Sequence, residues 1–142
     1  MATIVKHWVG YGAQPGGFDG HNYYGRVAKL DNRSFAKHVM AFDGAFAARA
    51  TGVMPTYPII DGVTLNGRPL EPVGAGFSRQ LITDLLRGGE RFDGLVLSDW
   101  AITDDCPESC RAPTAAAPQQ PGAVAMPWGV ERSARRRASR RA

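Results

Sequence analysis

Cysteine and histidine are scarce in this chain, with two of the first and three of the second among 142 residues. Cys106 and Cys110 share one Pro-rich loop at a C-x3-C spacing, and no second pair exists to complete a tetrahedral set, which argues against a structural zinc site. A local disulfide suits them better and would go with an exported protein. No stretch approaches about 18 apolar residues, so no segment reads as membrane-spanning. Met1 is followed almost at once by a strand and not by a signal-peptide pattern, so the expectation is a cytosolic chain or one whose true N-terminus lies upstream. Acids are missing from residues 132–142, where six Arg stand among Ala and Ser. Those six more than account for the formal net charge of +4 and leave the rest of the chain net acidic. No aromatic is interleaved there for base stacking, and no nucleic-acid fold precedes it, so neither nucleic acid nor membrane is an expected partner. Arg, Ala and Ser are what GC-rich DNA yields out of frame, and residues 131–142 are read as a disordered or out-of-frame tail.

What is present is the material of a folded α/β piece, with 44% hydrophobic and 21% charged residues. A β-branched start at Thr3, Ile4 and Val5 passes into Lys6, His7 and Trp8, a strand whose polar residues come at its end. A glycine-rich loop follows, carrying Asp19, His21, Asn22, Tyr23, Tyr24 and Arg26, and such a loop commonly walls a site. With Ser34 as N-cap, the stripe Phe35, Val39, Phe42, Phe46 predicts a helix that ends near Ala50. Residues 52–57 read as a short strand ending at Tyr57. An excursion over 58–76 follows, with turns at Asp61-Gly62 and Asn66-Gly67. Leu81, Ile82, Leu85 and Leu86 predict a second helix from Ser78 to Arg87.

The segment Phe92 to Trp100 is the most informative, because a turn feeds the branched aliphatics Leu95, Val96 and Leu97, which stop abruptly at Ser98, Asp99 and Trp100. Such a run suits a strand buried on both faces, with a carboxylate aimed into a cleft where the strand ends. Asp99 capping the next element is the plainer alternative. An acid beside an indole offers a charge to a developing cation and a flat surface to a sugar ring. The order strand, helix, strand, helix, strand predicts parallel strands with right-handed crossovers. In an α/β barrel the strand ends carrying Lys6, His7, Tyr57, Asp99 and Trp100 would converge on one mouth. About three parallel strands and two crossover helices make only a partial (β/α)8, TIM-type barrel. A single sugar contacted by both Lys6 and His7 requires a break in the strand, because neighbours on a regular strand point to opposite faces. A distorted or non-proline cis peptide is therefore expected near residues 6 to 9.

In these segments the chain resembles the N-terminal barrel domain of glycoside hydrolase family 3, the β-glucosidase group. The segments are Val5-Lys6-His7-Trp8-Val9-Gly10-Tyr11-Gly12, Gly52-Val53-Met54-Pro55-Thr56-Tyr57, Leu81-Ile82-Thr83-Asp84-Leu85-Leu86-Arg87 and Phe92 to Trp100. They stand in the family's order, and the resemblance covers residues 4 to about 130, so residues 1–130 are read as a barrel fragment. It implies Asp99 as the catalytic nucleophile, Lys6 and His7 on hydroxyls of the reacting sugar, Tyr57 against the nucleophile and Trp100 in the sugar platform. It also implies retaining hydrolysis of terminal β-D-glucosyl residues from an oligosaccharide or other β-glucoside, without metal or organic cofactor. The parent would be periplasmic or secreted. Upstream barrel strands and a second domain that supplies the acid/base are the partners implied, and the chain by itself is expected to be inactive.

Two other readings compete. A β-N-acetylglucosaminidase branch of the same family uses an Asp-x-His pair, which Asp19 and His21 resemble, but Tyr11 stands where that branch has a His. A non-catalytic carbohydrate-binding remnant is the second, and the presence of Lys6, His7 and Asp99 argues against it for the parent.

Overall fold

The structure, a computed structural model, describes residues 1–100 and residue 102. Cys106, Cys110 and the 131–142 tail lie outside the described residues, as does any disulfide between the two cysteines.

Three parallel strands form the principal sheet. Strand β1 (Ile4–Trp8) pairs with β3 (Gly52–Pro55), which pairs in turn with β7 (Leu95–Val96). This is the expected parallel order, although β3 and β7 stop short of Tyr57 and Ser98. Pairing of β1 with β3 runs from Ile4 opposite Gly52 to Lys6 opposite Met54, then slips, so that Trp8 faces Pro55 and His7 is the extra residue. The Lys6–His7 and Trp8–Val9 peptide bonds are both cis. The break expected in this strand is therefore found where His7 leaves the ladder. Past it, Gly10 at φ +93° lets the chain turn away in a conformation that L side chains rarely adopt.

A second parallel pair, β2 (Val27–Lys29) with β4 (Ile59–Asp61), has no counterpart in the sequence reading. Each strand is only three residues long, too short for a period-two pattern to stand out from a loop. The two strands pin the glycine-rich loop against the segment after Tyr57. Next, β5 (Thr64–Leu65) and β6 (Arg68–Pro69) form an antiparallel hairpin around Asn66-Gly67, as the turn residues predict.

The single helix predicted from Ser34 to Ala50 is divided in two, α1 (Asn32–Met40) and α2 (Asp43–Ala47). Its cap is Asp31, whose carboxylate accepts from the Ser34 amide at 2.7 Å, so Ser34 is the capped residue and not the cap. Between the helices a tight turn closes through the Phe42 amide on the Val39 carbonyl at 2.9 Å. Phe42 and Phe46 both reach the Trp8 ring, at 5.0 and 5.7 Å between centroids. The next helix, Gln80–Gly89, is π-type and runs past Gly88, the terminator read from the sequence. Its two fully buried residues, Leu81 and Leu86, stand five apart, the spacing that an i→i+5 turn brings onto one face.

Trp8 lies at the centre of the packing. It is wholly buried, and its indole N–H donates to the Leu81 carbonyl at 3.1 Å, tying β1 to the π helix. Val9, Val53, Phe35, Leu81, Leu86 and Phe92 belong to the same core. Among the described residues no helix is long and apolar enough to cross a membrane.

Candidate active site

His7 and Asp99 meet at the end of the parallel sheet, where the ladder slip re-aims His7. The His7 Nε2 atom stands 3.4 Å from Asp99 Oδ2, and only 9% of the Asp99 side chain is exposed. Burial, reinforced by the Lys6 charge, holds the His7 imidazole below its ordinary pKa, and the Asp99 carboxylate only partly offsets this. At neutral pH the contact is therefore that of a neutral imidazole with a carboxylate and not an ion pair. Asp99 Oδ1 accepts from the Trp100 amide at 2.7 Å.

Tyr57 is buried beside them, as part of a Thr56-Tyr57-Pro58 segment almost without exposed surface. Its hydroxyl donates to the Trp100 carbonyl at 2.6 Å. Burial and then the charge of Asp99 push the phenol well above its usual range. The Trp100 backbone thus links Tyr57 to Asp99, a function that its side-chain type gave no sign of. Trp100 as a residue is 80% exposed. Lys6 is exposed on β1, close enough for its charge to act on His7.

The glycine-rich loop closes the other side. His21 donates its backbone amide to Asp19 Oδ1 at 2.7 Å, and its ring Nδ1 bonds the same oxygen. Burial raises the Asp19 carboxyl, but these bonds from His21, helped by the Tyr11 hydroxyl, outweigh it and leave the group below its usual pKa. The His21 ring stands edge-on to Tyr57 at 4.6 Å, and Tyr11 packs on His7 at 4.7 Å. Tyr11 in turn is raised by burial and by Asp19. Lys6, His7, Asp19, His21, Tyr57, Asp99 and the Trp100 backbone therefore lie close together in the structure. Tyr11 was legible only as part of a motif, because ring stacking leaves no periodic trace in a sequence. Among the described residues no three His, Cys, Asp or Glu side chains stand close enough to hold a metal ion.

Known proteins resemble this chain in sequence. Residues 1–119 match the family model described as the glycosyl hydrolase family 3 N terminal domain. The chain belongs to glycoside hydrolase family 3. It is 51% identical over 133 residues to a protein of Dickeya chrysanthemi named periplasmic beta-glucosidase/beta-xylosidase, a match covering 93% of this chain and 20% of that protein. Beta-glucosidase C of Emericella nidulans is 39% identical and probable beta-glucosidase C of Aspergillus oryzae 36% identical, each over 107 residues, covering 74% of this chain and 16% of theirs. The chain thus spans a fifth or less of the length of these relatives. The family 3 match takes in β1, the glycine-rich loop, β3 and β7, the elements that carry the whole cluster.

Proposed function

We propose that residues 1–130 form part of the catalytic (β/α)8 barrel of a family 3 β-glucosidase, in which Asp99 is the nucleophile of a retaining hydrolysis. The observation that carries this reading is the Asp99 carboxylate, largely shielded from solvent at the end of a parallel sheet, with Oδ2 3.4 Å from His7 and Tyr57 against it. In the proposed reaction Asp99 attacks the anomeric carbon as the glycosidic oxygen leaves, and a glycosyl ester forms. A second carboxyl about 5 to 5.5 Å away protonates the leaving oxygen and then activates the water that releases the sugar. That carboxyl comes from outside residues 1–130. Lys6 and His7 donate to hydroxyls of the bound glucosyl ring, and Trp100 receives its apolar side. Support for a barrel comes from the parallel sheet itself and from Leu95 and Leu97, which stay exposed on the β7 strand and its extension, where further strands and helices would cover them. The Dickeya relative is named periplasmic, and the same compartment, or export, is proposed for the whole protein.

One observation favours a second reading. The bond between His21 and Asp19 makes the imidazole–carboxylate pair that a β-N-acetylglucosaminidase of this family would use. Rates on an aryl β-glucoside and on the matching N-acetylglucosaminide, measured with the enzyme that contains this chain, separate the two. The glucoside is expected to be the better substrate. Asp99→Ala is expected to lower its kcat by roughly four orders of magnitude or more, with azide restoring turnover as the α-glucosyl azide. Preference for the N-acetyl sugar, or an Asp99→Ala enzyme within tenfold of the parent, would contradict the first reading.

A further inference from the structure

The slip that re-aims His7 also takes it out of the ladder, so pairing with β3 does not set where its ring points. Other contacts do. Asp99 meets the imidazole at one atom, Nε2, and the Tyr11 ring lies against it at 4.7 Å between centroids and 34° between planes. Tyr11 is held in turn by its neighbours. A Cβ on Gly10 would come within 2.7 Å of Ile60 on β4, so the chain just before Tyr11 is pressed on that strand. Just after it, the Gly12 amide donates to Oε1 of the buried Gln14 at 2.8 Å. Beyond His7 the Tyr11 ring reaches the turn that carries Asp19 and His21. A Cβ on the buried Gly20 between them would come within 3.3 Å of Tyr11 Cε2 and 2.9 Å of Pro58, the residue after Tyr57. Gly20 thus leaves the room that the ring takes up, and Tyr11 is wedged between His7 and this turn. Burial and then Asp19 raise the Tyr11 pKa, so at neutral pH the phenol is uncharged and bears on His7 by packing.

We propose that Tyr11 is a positioning residue of the site, whose ring, wedged between the 19–21 turn and the His7 imidazole, holds His7 where it meets a sugar hydroxyl beside Asp99. This rests on the glucoside reading above, in which His7 is a donor to the sugar. An imidazole fixed at one nitrogen alone can still tilt about that contact, and a displacement of about 1 Å in a group that orients substrate can cost on the order of a hundredfold in rate. Tyr11 acts through His7, and the packing of β4 and Gln14 around its backbone makes its ring a fixed backstop.

The test is a double-mutant cycle in the enzyme that contains this chain, with phenyl β-D-glucoside as substrate. Tyr11→Ala is expected to lower kcat/KM about ten- to hundredfold, whereas Tyr11→Phe, which keeps the ring, stays within about threefold of the parent. In a His7→Ala background Tyr11→Ala should cost less than about threefold, because the group that it positions is gone. Near-UV circular dichroism confirms that each variant is folded. Independently of any variant, NMR of the parent chain should show NOEs between the Tyr11 ring protons and the His7 imidazole protons. Their absence from the folded chain, equal losses in Tyr11→Phe and Tyr11→Ala, or full additivity of Tyr11→Ala with His7→Ala would overturn the Tyr11 proposal and leave the glucoside reading standing. A parent enzyme that does not hydrolyse phenyl β-D-glucoside would overturn the glucoside reading and the Tyr11 proposal with it.

Discussion

A neutral His7 opposite Asp99 has a consequence that can be measured in solution. The folded imidazole has a lowered pKa, so between that value and the ordinary 6.5 the unfolded chain binds more protons than the folded one. The stability contributed by neutral His7 is complete above about pH 6.5 and is lost as pH falls through the lowered value. Asp99 raises this pKa and Lys6 lowers it. Asp99→Asn should therefore move the His7 titration midpoint, followed by NMR of the imidazole C–H resonances, further down, and Lys6→Ala should move it up. A midpoint unmoved by both substitutions would show that His7 does not face these groups. At this scale the sequence was informative because chemistry resides in residue type. Lys, His, Tyr and Asp at strand ends are conspicuous, whereas the role of the Trp100 backbone and the stacking of Tyr11 on His7 depend on geometry alone.

Elements were legible to the degree that their period was regular. The parallel order of β1, β3 and β7 follows from alternation with helical segments, and the hairpin at Asn66-Gly67 follows from its turn residues. The division of the helix after Met40 was hidden, because Phe35, Val39, Phe42 and Phe46 keep a helical spacing across a turn that presses two rings on Trp8. The π helix was hidden for a related reason: Leu81, Ile82, Leu85 and Leu86 read as an ordinary amphipathic stripe, but the two residues buried deepest are Leu81 and Leu86. Leu86 is fully buried against the Trp8 core, and Leu86→Ala should cost about 2 to 5 kcal/mol in a urea unfolding titration. Leu95→Ala, at a side chain that is 54% exposed, should stay within about 0.5 kcal/mol of the parent. Equal losses at the two positions would mean that the π helix is not packed as described.

For the whole molecule, the sequence showed a convergence that no single element contains. Lys6 and His7 come from the first strand, Tyr57 from the end of the second and Asp99 from the end of the third, and their meeting depends on three strands running the same way. The pairing of β2 with β4 escaped notice because two three-residue strands carry no pattern of their own, yet it anchors the loop that brings Asp19 and His21 to the site. Family membership follows from residues 1–119, while the activity proposed here belongs to a protein of which relatives five times longer are the measure.

The central claim is that Asp99 attacks the anomeric carbon of a β-glucoside. It is tested most directly with 2,4-dinitrophenyl 2-deoxy-2-fluoro-β-D-glucoside, whose leaving group departs without a proton, so that no acid from outside the chain is needed to form the glycosyl ester. Incubation of the enzyme that contains this chain, followed by peptide mass spectrometry, should find one fluoroglucosyl group on Asp99, absent from Asp99→Asn. A label on another carboxylate, or an unlabelled enzyme that nonetheless hydrolyses the β-glucoside, would contradict it.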